Sequence, residues 1–167
     1  KKFKNKEILK IDSYDFEIFE KLKKKKLIKK KYITFVDQMY EGPFDFQLKK
    51  YFEKPIFQYY WCAIDKLLNF LAKKVYNNDE LIIAAHHRRN KFDLPGNNKF
   101  VFGQTHQLIK ESKLILGHDS TVLTHATLLR KPIIFINMHM FKKYEYGTFQ
   151  LVNQQAKALG VKTIYIN

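Results

Sequence analysis

Residues Ser112 to Asn137, SKLILGHDSTVLTHATLLRKPIIFIN, leave the chain few choices. Leu114, Ile115 and Leu116 form a continuous apolar run, the pattern of a strand covered on both faces. Gly117-His118-Asp119-Ser120-Thr121 supplies a tight turn and residues suited to capping a helix. Val122, Leu123, Ala126 and Leu128 or Leu129 then fall at helical spacing, Arg130-Lys131-Pro132 stops the helix, and Ile133 to Ile136 reads as the next strand. A strand, crossover helix and second buried strand in so short a span predict a parallel β-α-β unit.

The same alternation extends through much of the chain. Tyr32 to Val36 predicts a strand, Gln58 to Tyr76 a helix with Tyr60, Ile64, Leu67, Leu68, Leu71 and Val75 on one face, and Glu80 to Ala85 a strand. Lys99 to Phe102 reads as a short strand and Thr105 to Glu111 as a short helix. After the central unit, His139 to Gly147 reads as a loop, Phe149 to Leu159 as a helix closed by Gly160, and Lys162 to Ile166 as a last strand. Ser13 to Lys25 suggests a short amphipathic helix of poor period. The expected fold is α/β, a Rossmann-like parallel sheet with helices on both faces. Residues 31–167 form that domain, and residues 1–30 a basic arm or connector.

Such sheets bind ligands beyond the carboxyl ends of their strands. Polar clusters directly follow four predicted strands: Asp37-Gln38, His86-His87-Arg88-Arg89, Gly117 to Thr121 and Asn137 to His139. They are expected to converge on one edge. The turn at 117–121 offers N–H groups and the hydroxyls of Ser120 and Thr121 to a phosphate, or alternatively a plain helix cap. His86, His87 and Arg88 offer imidazole and guanidinium donors, or alternatively a basic surface loop. His118 reads as a phosphate ligand, a base or a packed loop residue, and His125 as packed or facing solvent. Asp37 and Glu41 are the carboxylates with a case for acid/base work, against roles as turn and cap residues. No metal site is expected, since adjacent loop histidines rarely chelate one ion and no HExxH spacing occurs. The glycine-rich signatures for NAD and ATP and the GxSxG elbow are absent.

Composition narrows the partners. The 167 residues are 46% apolar and 16% aromatic, which fits a packed core. The single cysteine, Cys62, excludes an internal disulfide, points to a reducing compartment and is expected to be buried beside Trp61. The net charge is +15, much of it in Lys21 to Lys31, KLKKKKLIKKK. That run reads as a solvated face or as a peripheral contact with anionic lipid headgroups. Nucleic acid is disfavoured, because aromatics do not interleave with the lysines. No apolar run reaches the roughly 18 residues of a spanning helix. The chain opens on Lys1 without an initiating Met, so it reads as a piece of a longer protein.

The pair of motifs, His86-His87-Arg88 after one strand and Gly-His-Asp-Ser-Thr, helix, Lys-Pro, strand over Gly117 to Ile136, resembles the C-terminal half of GT-B glycosyltransferases. The closest likeness is to bacterial enzymes of capsule and other surface polysaccharide synthesis, including sialyltransferase-like enzymes. It covers Tyr32 to Asn167. The proline that usually follows the first histidine is His87 here. The resemblance implies a donor domain binding a nucleotide-sugar such as a CMP-, CDP- or UDP-sugar, with no separate cofactor and a glycan or lipid-linked acceptor. His86, Arg88, Ser120 and Thr121 would contact the nucleotide. The expected location is cytoplasmic, with the lysine run as a peripheral contact at the inner membrane, and this half alone is expected to be inactive. A sugar-nucleotide epimerase or glycerophosphotransferase of the same fold is the alternative within the class. A non-catalytic basic module that binds nucleic acid or membrane is the alternative outside it.

Overall fold

The computed structural model describes residues 14–24, 32–40, 54–75, 80–91, 94, 98–144 and 146–167. Six strands form one sheet, all neighbours parallel: β1 (Tyr32–Val36), β2 (Glu80–Ala84), β3 (Lys99–Val101), β4 (Leu114–Gly117), β5 (Ile133–Met138) and β6 (Thr163–Ile166). Their spatial order is β3-β2-β1-β4-β5-β6. This is the doubly wound Rossmann-like order, with its topological switch between β1 and β4.

Helices cover both faces. Ile33 and Phe35 of β1, Ile83 of β2, Leu116 of β4 and Ile136 of β5 pack on α2 (Lys54–Phe70), which ends in a π-helical turn at Leu71–Val75. Val36, Ile115 and Phe135 point the other way. They meet Ile109 of α3 (Thr105–Glu111), Leu123 and Ala126 of α4 (Leu123–Leu128) and Val152 and Ala156 of α6 (Tyr146–Ala158). The central strands β1 and β4 are buried throughout, which is why they read as unbroken apolar runs. α1 (Tyr14–Lys24) lies on α3 and α4, with Leu22 buried. The segment expected as an arm thus contributes a helix to the folded layer.

Three sequence expectations need correction. Cys62 is exposed. At 100° per residue, Tyr60, Trp61, Ile64 and Leu68 turn inward and place position 62 on the outer side of α2. His139 to Tyr144, expected as loop, forms the helix α5, anchored by the fully buried Phe141. The turn before α4 does not cap it: no side chain bonds an N–H at its start, and the backbone enters through i+3 bonds from Leu123, Thr124 and His125 to Ser120, Thr121 and Val122.

The helix ends follow one pattern with different residues. At α6, Val161 N–H donates to Ala156 O and Gly160 sits at φ +66°, a Schellman close that suits glycine. At α4, Lys131 N–H donates to Ala126 O and Arg130 takes the same role at φ +52°. A Cβ in that region carries about 1 kcal/mol of strain. Arg130→Gly is therefore expected to raise stability by about 1 kcal/mol or somewhat less, read as a higher urea midpoint at unchanged slope.

Candidate functional site

The carboxyl end of β1 carries a buried charge. Asp37 is 3% exposed and Arg89 6% exposed. Arg89 Nε donates to Asp37 Oδ2 at 2.5 Å and Nη2 to Oδ1 at 2.8 Å. Oδ2 also accepts from His86 N–H at 3.1 Å, and Oδ1 from Met39 N–H at 2.9 Å. The guanidinium lies 5.1 Å from the Trp61 ring and 5.6 Å from the Phe100 ring. Two aromatic faces and a carboxylate thus replace its water. Of the two adjacent arginines, Arg89 turns inward because a turn closed by Arg89 N–H to His86 O reverses the chain; Arg88 stays exposed. Asp37, a candidate for acid/base work, is committed to this pair. Glu41 lies outside the described residues.

A second knot spans the switch. Gln38 Nε2 donates to Asp119 Oδ1 at 2.7 Å, and the Tyr40 hydroxyl donates to the same oxygen at 2.8 Å. Asp119 therefore links the β1 and β4 loops rather than capping α4. His118 is fully buried among Phe35, Tyr40, Tyr60 and Phe141. Its Nδ1 lies 2.7 Å from Ile136 O and its Nε2 3.0 Å from the Tyr60 hydroxyl. The carbonyl can only accept, so Nδ1 carries the proton and Nε2 accepts from Tyr60. Burial pushes its pKa down to about 4. Of its three readings, His118 takes that of a packed loop residue; it cannot reach a phosphate from there. Gly117, at the buried end of β4, leaves room for Leu123, whose methyl groups lie 3.2–3.3 Å from where a Cβ would stand.

Between these knots opens a cleft of about 380 Å³. His86 and His87 line one wall and Ser120 and Thr121 the other, with Asp37 between. Gly103, Thr105 and His106, beyond β3, complete it. These last three went unread in the sequence, although Gly-Gln-Thr after a strand repeats the signal used at Gly117 to Thr121. His125 is buried against His106, ring centroids 4.4 Å apart. Asn137 does not join the cleft. Its side chain donates to Phe149 O and accepts from Met138 N–H.

Among the described residues no lysine or arginine lines the cleft, so Arg88, expected there beside His86, is not part of it; Asp37, the carboxylate in the lining, is paired with Arg89, and the cleft offers a ligand hydroxyls and imidazoles. Arg88 N–H points to His86 Nδ1 at 3.3 Å, which leaves His86 Nε2–H as the outward donor. Burial, then the neighbouring His87, lowers the His86 pKa, so this imidazole donates a hydrogen bond in its neutral form. α4 has only six residues, so its dipole adds little at this edge. Among the described residues no group of three His, Cys, Asp or Glu side chains is placed to hold a metal ion. No family model, curated protein or solved structure matches the chain.

Two outcomes follow. Asp37→Asn leaves a buried guanidinium without its counter-charge and is expected to cost about 3–5 kcal/mol in chemical denaturation. Burial holds the folded-state pKa of His118 down to about 4, against about 6.5 for an imidazole in water. Its contribution is complete above pH 6.5 and drains away as the pH falls toward 4, by about 3 kcal/mol in all. Denaturation series across that range should show stability falling with acid, with a shallower slope in His118→Asn.

Proposed function

We propose that the chain is the donor-binding half of a glycosyltransferase of the GT-B type and takes a nucleotide-activated sugar for bacterial surface polysaccharide synthesis. One observation carries this reading: His86 and His87 on one wall and Ser120 and Thr121 on the other face a single cleft at the carboxyl ends of the strands. His86, Ser120 and Thr121 are among the four residues that the family resemblance assigns to the nucleotide; the fourth, Arg88, does not line the cleft, and the two loops are more than thirty positions apart.

In the transfer, the bond between the sugar's anomeric carbon and the phosphate oxygen breaks. The acceptor oxygen bonds that carbon and gives up its proton, and negative charge collects on the leaving nucleotide. Hydrogen-bond donors fixed before the reaction stabilise that charge with little reorganisation. In this reading His86 Nε2–H and the Ser120 and Thr121 hydroxyls supply those donors. Asp37, held by Arg89, keeps the His86 main chain in position and takes no proton in this scheme. The acceptor and its base come from outside this half.

Calorimetric titration with CMP, CDP and UDP should give saturable binding to the folded chain. The double variant Ser120→Ala/Thr121→Ala, and separately His86→Ala, should each weaken it at least about tenfold. Unchanged affinity in these variants, or no nucleotide binding at all, would refute the proposal.

A further inference from the structure

The turn at Ser120 and Thr121 has two sides. On one it forms a wall of the cleft. On the other it lines a second opening, a groove of about 360 Å³ between α4 and α6. The same two residues thus border both spaces, so a ligand held at their hydroxyls can extend from one into the other.

The groove differs from the cleft in its chemistry. Phe135 of β5, Leu123 of α4 and Leu159 of α6 give it apolar walls. Among the described residues no charged or imidazole side chain lines it. Its polar groups are few, and one of them is already engaged: the Thr127 hydroxyl donates to Leu123 O at 3.2 Å within α4. Gln155 has an unmet need. It lines the groove, and its Oε1 is buried and accepts no hydrogen bond. A buried carbonyl oxygen without a donor destabilises the fold, and a ligand that brings an N–H to it recovers that loss.

We infer that this groove takes the base of the nucleotide whose phosphate the cleft holds. The inference rests on the reading of the cleft as a nucleotide site and adds which way the ligand lies. A nucleobase has two apolar faces and an edge of N–H and C=O groups. Its faces suit Phe135, Leu123 and Leu159, and an edge N–H suits the Gln155 oxygen. A hexose suits the groove less well, because its ring of hydroxyls would lie against those apolar side chains without partners. With phosphate at the Ser120 and Thr121 hydroxyls, the base falls on the β5 side of the turn. The β2 side, with His86 and His87, stays with the phosphate.

Calorimetric titration of the full chain with CMP, UMP and ribose 5-phosphate tests this. All three carry the same phosphate ester, and only the nucleotides carry a base. The nucleotides should bind at least about tenfold more tightly than ribose 5-phosphate. Gln155→Leu keeps the bulk of the side chain and removes the acceptor; it should weaken both nucleotides about tenfold and leave ribose 5-phosphate unchanged. Ala158→Trp, at an exposed lining position, should fill the groove and reduce the nucleotides to the affinity of ribose 5-phosphate. His86→Ala, in the cleft, should weaken all three alike. Equal binding of nucleotides and ribose 5-phosphate, a Gln155→Leu effect that is absent or shared by ribose 5-phosphate, or nucleotide affinity that survives Ala158→Trp would overturn the inference and leave the cleft reading standing. Failure of the unsubstituted chain to bind any of the three would sink both readings.

Discussion

A carboxylate taken out of water at the end of the first strand organises the working edge of this protein. An ion buried alone costs several kcal/mol, so Asp37 is tolerated only because four donors surround it. Each donor fixes something. Arg89 is drawn inward between Trp61 and Phe100, which joins the loop after β2 to α2 and β3. The His86 main chain is held against β1, and that leaves His86 and His87 facing the cleft. Met39 is held at φ +50°, which starts the chain toward Tyr40.

The switch between β1 and β4 needs a second fastening, because the crossovers leave it in opposite directions and a crevice opens there. Gln38, Tyr40 and Asp119 bridge it above, and His118 plugs it below as a neutral imidazole within an aromatic cage. The polar groups of the turn thus divide. Asp119 and His118 spend their hydrogen bonds on the protein, and Ser120 and Thr121 keep theirs for the cleft. Parallel strands place every strand start on the opposite side, where Lys113 and Arg130 are exposed.

Much of the sheet was legible because period and burial agree. Leu114 to Leu116 and Tyr32 to Val36 are buried on both faces, so their sequences are apolar without interruption. Thr105 to Glu111 matches α3, and Gly160 closes α6 as expected. The site was half legible. His86, His87, Ser120 and Thr121 could be found because polar residues that follow a buried strand have few other places to go. Arg88 was expected to contact the nucleotide, and the structure leaves it exposed and outside the cleft lining; that Arg89 enters the core could not be read, since a turn carries no period. For the same reason His118 stayed open between phosphate ligand, base and packed loop residue, and the structure takes the last. Its neighbours Tyr60 and Phe141 are far away in sequence, so nothing nearby announced its cage.

The sequence by itself determined the alternation of strands and helices, and with it a parallel sheet whose polar loops lie at one edge. Those are consequences of local period, chain connectivity and the hydrophobic effect, all of which can be read along a line. Only the tertiary structure decided the strand order, the pairing of Asp37 with Arg89 and the burial of His118. Those outcomes turn on the cost of desolvating particular charges and dipoles, and that cost depends on neighbours that the fold brings together from distant positions.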